Sequence, residues 1–151
     1  MTWEGIKLLI IFGKVMLEKF VFKGSEANCL NISFKDILLQ AESYIEDYHW
    51  CLLWFEATTS DREFNIIEFE NTVKQSQNGI LISYRSLVDL SVKIDQTLEL
   101  FLIGDKDESI IRNYNKNTNS INAGSISIEL IDSSYWEIST GDKRLIDSFR
   151  R

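Results

Sequence analysis

Asp132, Ser133 and Ser134 put an acid and two hydroxyls directly before Tyr135, Trp136 and Glu137. Acyl transfer by a serine requires an adjacent base to take its proton. The chain holds a single histidine, His49, and no G-x-S-x-G elbow surrounds Ser133 or Ser134. Asp and Ser favour turns because their side chains bond nearby backbone. Asp132 and Ser133 therefore read as a tight hairpin connection, and no catalytic residue is assigned.

Metal chemistry finds no better footing. A lone His49 without a second His or Cys makes a poor metal centre. The run from Asp105 to Ser109 clusters three acids, but lacks the glycine and the terminal glutamate of a calcium loop. It reads as a solvated turn leading into a helix, whose N-terminal end favours acids. Walker A, G-x-G-x-x-G, H-E-x-x-H and C-x-x-C patterns are all absent. No metal ligand or cofactor is assigned, and no motif argues for an enzyme.

The elements that would position any site follow from periodicity. "LEKFVFKG" alternates, with Phe20 and Phe22 on one side and Lys19, Val21 and Lys23 on the other. A helix is expected from Ser33 to Tyr48, capped by Ser33 with Asp36 and apolar at Phe34, Ile37, Leu38, Ala41, Tyr44 and Ile45. "HWCLLWFEAT" is a strand with Cys51, Leu53 and Phe55 on one face and Trp50, Leu52, Trp54 and Glu56 on the other. A second helix spans residues 66–79 and ends at Gly79. Residues 80–82 make a short extended link, and Ser83 or Ser86 caps a third helix lined by Leu87, Leu90 and Ile94.

"TLELFLIG" directs Leu98, Leu100 and Leu102 inward and Glu99 and Phe101 outward. Residues 105–124 are irregular, with one helical turn around Ile110 to Tyr114 and an Asn-rich loop beyond. "SISIELI" points Ile126, Ile128 and Leu130 inward, and "SYWEIST" does the same with Trp136 and Ile138. A short helix capped by Asp142 closes the chain through Leu145, Ile146 and Phe149. This order does not alternate regularly between strand and helix. The expected fold class is α+β: a mainly antiparallel sheet of about five strands with helices packed on one face.

On that alternation, the face opposite the aliphatic core carries Trp50, Trp54, Glu56, Glu99, Phe101, Glu129, Tyr135 and Glu137. Aromatic anchors among carboxylates suit a basic protein partner. The bland alternative is that a helix or the N-terminal stretch covers the aromatics and leaves ordinary solvated glutamates.

Composition narrows the function classes. At 151 residues, one domain can bury a core without staples. A net charge of −7 argues against nucleic-acid binding and fits an encounter with a basic partner. Cys29 and Cys51 match neither a disulfide framework nor a metal spacing, and are expected to be reduced thiols in a cytoplasmic protein. The apolar run from Leu8 to Phe12 is too short to span a membrane, and the N-terminus lacks a signal peptide's basic start. Residues 1–15 are read as an extension from an upstream start, because Met16 directly precedes the first clear strand; residues 16–151 form the single domain. The absence of proline and the abundance of Ile and Asn point to an AT-rich, bacterial genome.

The segment "IELIDSSYWEISTGDKRLI" resembles the ending of small bacterial immunity-type proteins, the antidotes of polymorphic toxins. Asp132, Ser133, Ser134, Tyr135, Glu137 and Asp142 carry the resemblance. It implies a non-catalytic antitoxin that blocks a basic toxin by occlusion, and it implies no established site. The alternative is a small enzyme or ligand-binding domain built on Glu56, Glu99, Glu129 and Glu137, with a pocket where at least two converge and a raised carboxyl pKa. A third class is a structural subunit that self-associates through the sheet.

Overall fold

Every second residue along a strand faces the same side, and the Phe20/Phe22, Ile126/Ile128/Leu130 and Trp136/Ile138 sets all point into one core. The structure, a computed structural model, describes residues 8–12, 15–23, 32–40, 42, 47–116 and 125–149. Among these, the strands are β1 (Leu8–Phe12), β2 (Val15–Lys23), β3 (His49–Thr58), β4 (Ile80–Ile82), β5 (Gln96–Asp105), β6 (Ile126–Ile131) and β7 (Tyr135–Thr140). They form one sheet in the order β1-β2-β7-β6-β5-β3-β4, with every neighbouring pair antiparallel. The helices are α1 (Phe34–Gln40), α2 (Ile66–Gln75), α3 (Tyr84–Lys93), α4 (Glu108–Arg112) and α5 (Lys143–Phe149).

The α+β architecture agrees with the sequence reading, while the described sheet has seven strands instead of about five. One added strand is β4, expected to be only an extended link; it pairs with β3 from Trp50↔Ile82 to Leu52↔Ile80. The other is β1, which lies within the stretch read as an extension and pairs along β2 from Leu8↔Lys19 to Phe12↔Val15.

Local signals set the helix ends. Ser33 and Asp36 form a reciprocal cap: the Ser33 amide donates to Asp36 Oδ2 at 2.8 Å, and the Asp36 amide donates to Ser33 Oγ at 3.2 Å. Asn65 Oδ1 accepts from the Glu68 amide at 3.1 Å to start α2, and Ser83 Oγ accepts from the Ser86 amide at 3.1 Å to start α3. The helix α2 ends at Gln75 rather than at Gly79, which instead takes a φ of 77° in the turn into β4. Ala41, Tyr44 and Ile45, expected to extend α1, lie outside the described residues.

Among the described residues, four helices cover one sheet face. Phe34, Ile37 and Leu38 of α1, Val73 of α2, Leu87 and Leu90 of α3, and Leu145 and Ile146 of α5 bury against the strand residues of this core. Phe34 stacks on Trp136 with ring centroids 5.9 Å apart, and the Trp136 indole donates to the Ile32 carbonyl at 2.8 Å. The fifth helix departs from the expected one-sided packing. Ile111 of α4 and the nearby Tyr114 bury against Cys51, Leu53 and Ile103 on the opposite face. One end of that face is therefore closed.

Candidate functional site

Strand β3 decides which aromatics reach the outer face. Its register with β5 runs from His49↔Asp105 to Leu52↔Leu102, then resumes at Trp54↔Phe101, with Leu53 as the extra residue. Such a bulge shifts the alternation by one position. Trp50 and Leu52 before it and Phe55 after it all join the helix-covered core. Cys51, Leu53, Trp54 and Glu56 thus share the other side, where Cys51 and Leu53 belong to the cluster beneath α4. A second register shift follows between Glu56 and Ala57, and there the Ala57 amide donates to Glu70 Oε1 of α2 at 3.0 Å.

Trp50 is consequently removed from the candidate surface. It is 1% exposed, and its ring crowds Gly104, where an added Cβ would lie 2.6 Å from Trp50 Cε3. An uninterrupted alternation places it beside Trp54; the bulge separates them.

The remaining candidates come together. Val21↔Glu137, Glu137↔Glu129, Glu129↔Phe101 and Phe101↔Trp54 are successive register partners, so these five side chains form one row across β2, β7, β6, β5 and β3. Beside it run Lys23↔Tyr135 and Tyr135↔Ile131. Glu56 is exposed and stands opposite Glu99. A shallow depression of about 370 Å³ opens on this face, walled by Trp54, Glu99, Phe101, Glu129, Ile131 and Asp132. A smaller cavity of about 130 Å³ lies elsewhere, between Phe34, Ser91, Asp95 and Trp136.

The electrostatics around the row are uneven. Glu137 forms an ion pair with Lys19. Glu99 is fixed by the Trp54 indole, whose Nε1 donates to Glu99 Oε2 at 2.5 Å. Lys74 Nζ lies 5.7 Å from the Trp54 ring centroid, and Lys23 Nζ lies 5.8 Å from that of Tyr135, both within cation–π range. Glu129 is half-buried, and its carboxyl is pushed above its ordinary value by burial and by the neighbouring Glu137 charge, with Lys19 opposing. The alternation in the sequence missed Ile131 and Asp132 as lining residues. Ile131 could have been found by pairing it with Tyr135 across the expected hairpin.

The stretch from Asp132 to Ser134 is a turn. Asp132 and Ser133 have φ of 50° and 55°, and the Ser134 amide donates to the Ile131 carbonyl at 2.8 Å. Two successive positive-φ residues mark the turn type that matches strand twist in hairpins. Ser133 Oγ donates to the Leu98 carbonyl at 2.6 Å, and Ser134 Oγ to the Asp132 carbonyl at 2.9 Å. His49 lies opposite Asp105, beyond the Ile126 end of β6, whereas the turn follows Ile131 at its other end.

The acidic run after Gly104 is also committed to the fold. Asp105 is buried and accepts from the Asp107 amide at 2.8 Å and from Ser125 Oγ at 2.7 Å. Asp107 caps α4, and Glu108 binds Arg112 at 2.6 Å. Asp142 accepts from the Arg144 amide at 3.0 Å and from the Tyr48 hydroxyl at 2.5 Å. Among the described residues no group of three or more His, Cys, Asp or Glu could hold a metal ion, and no helix is long and apolar enough to cross a membrane.

The chain matches no family model, no curated protein sequence and no solved structure.

Proposed function

We propose that the chain is a non-catalytic cytoplasmic binding protein of the immunity type, which occludes a basic partner protein with the outer face of its sheet. The observation that supports this reading is the row Trp54, Phe101, Glu129 and Glu137, with Glu99 bonded to Trp54 beside it. Aromatic side chains supply contact area at low entropic cost, and carboxylates around them select and steer a cationic surface. The net charge of −7 acts in the same direction.

Affinity capture from cells that naturally make the protein tests the reading. A basic protein retained at low salt, released by high salt and lost from the double variant Glu99→Lys/Glu129→Lys is expected. Retention unchanged by that double substitution would count against the sheet face as the interface.

A small enzyme or ligand-binding domain is the second reading. It is favoured by one observation: Glu99 and Glu129, from different strands, wall the same depression, and the Glu129 carboxyl is raised. It expects a small molecule to protect Trp54 in the isolated chain, without any protein partner.

A further inference from the structure

The charges on the outer face are not equally matched. Lys19 answers Glu137, and the Trp54 indole answers one oxygen of Glu99. Glu129 stands between Phe101 and Glu137 in the row, half-buried. Burial, then the neighbouring Glu137, disfavours its charge, and Lys19, already paired with Glu137, opposes them only in part. A carboxylate withdrawn from water without full compensation is costly. A cation entering the depression would supply that compensation.

The walls indicate which cation. Trp54 and Phe101 are register partners, and both wall the depression together with Glu129. Lys74 Nζ already lies 5.7 Å from the Trp54 ring centroid, so an incoming cation must share the electron-rich indole with Lys74 or displace it. A guanidinium is planar, stacks on aromatic faces and pairs with carboxylates through two parallel N–H groups; an ammonium does neither of the last two. The depression is shallow, and Ile131 on its wall is the register partner of Tyr135 on the same sheet face. That geometry suits a side chain projecting from a larger surface better than an enclosed small molecule.

We infer that the depression receives one arginine side chain of a basic protein partner, with its guanidinium against the Glu129 carboxylate and the rings of Trp54 and Phe101. The inference rests on the protein-binding reading above and names the group that this site recognises.

The test uses the full chain, ¹⁵N-labelled, and follows the Trp54 indole N–H signal, which is identified by its loss in Trp54→Phe. N-acetyl-arginine amide is titrated in, with N-acetyl-lysine amide and the neutral N-acetyl-citrulline amide as comparisons. A saturable shift is expected with arginine, a weaker one with lysine and none with citrulline. Glu129→Gln, which preserves shape, is expected to weaken arginine binding by roughly tenfold or more, the value of a charge-assisted hydrogen bond. Absence of saturation, equal response to citrulline, or unchanged affinity in Glu129→Gln overturns the inference. If the arginine probe fails while capture of a basic protein still depends on Glu99 and Glu129, this inference falls and the binding reading stands. If the probe binds but no protein is captured, the protein source of the arginine is overturned.

Discussion

The Trp54 indole on β3 donates to Glu99 on β5 at 2.5 Å, although Trp54 is opposite Phe101 and Glu99 opposite Glu56. The bond is therefore diagonal, and long side chains on one face of a sheet can make such a contact. It holds an aromatic and a carboxylate together at the mouth of the depression, and it exists because the bulge at Leu53 turned Trp54 outward.

The two tryptophans of β3 should differ sharply in stability. Trp50 is 1% exposed in the main core, so Trp50→Ala is expected to cost about 3–5 kcal/mol. Trp54 is half-buried on the outer face, and Trp54→Ala should cost about 1 kcal/mol or less. Urea denaturation of the two variants measures the difference; equal losses would show that the register shift does not separate them. Trp50 Nε1 is buried and finds no hydrogen-bond partner among the described residues, so Trp50→Phe should be milder than the alanine change.

Glu129 gives stability a pH dependence of definite sign. Burial, then Glu137, raises its carboxyl above the ordinary value of 4.5, so the folded chain holds this proton more tightly than the unfolded one. Its contribution is therefore most favourable below 4.5 and is lost as pH rises through the raised folded value. Glu129→Gln removes that loss. Urea midpoints measured from acid to neutral pH should show the variant gaining on the parent as pH rises, and parallel curves would contradict the assignment.

Gly79 is fixed by both backbone and space. Its φ is 77°, and an added Cβ would lie 2.4 Å from Cys51 Sγ and 2.7 Å from Leu53 Cδ2. Left-handed strain and overpacking act together, so Gly79→Ala is expected to lose about 2–4 kcal/mol. A thermal melt checks it: an unchanged midpoint would mean that the β4 turn can move away from Cys51 at no cost.

Cys51 should be chemically inert in the folded state. It is buried, its thiol donates to the Asn78 carbonyl at 3.1 Å, and burial pushes its pKa up to about 11 despite the nearby Lys116. Iodoacetamide labelling followed by peptide mass analysis should leave the Cys51 peptide unmodified until denaturant is added. Comparable labelling of native and unfolded chains would show that α4 opens readily from the sheet.

Much of this architecture was legible from local signals. The Ser33/Asp36 cap, the Asp132–Ser133 turn and the inward residues Leu100 and Leu102 on β5, Ile126, Ile128 and Leu130 on β6 and Trp136 and Ile138 on β7 each depend on residues close in sequence. Leu98, also expected inward, is the extra residue of the second register shift and does not join the core. Side-chain bonds to nearby backbone, and a period of two, need no knowledge of distant partners. Glu99, Phe101, Glu129, Tyr135 and Glu137 share the outer face that the alternation expects, because β6, β7 and the part of β5 from Glu99 onward alternate without a break; the extra residue of β5, Leu98, falls just before Glu99.

What tertiary structure alone decided was the pairing across strands. The single residue slipped at Leu53 sends Trp50 to the core and Trp54 outward, and only the register with β5 reveals it. Likewise, α4 crosses to the far face because Ile111 and Tyr114 complete a small cluster with Cys51, Leu53 and Ile103. The sequence by itself determined which residue types alternate. The assembled sheet determined which of them meet, because neighbours across strands are distant in the chain and the raised carboxyl of Glu129 exists only where the fold half-buries it beside Glu137.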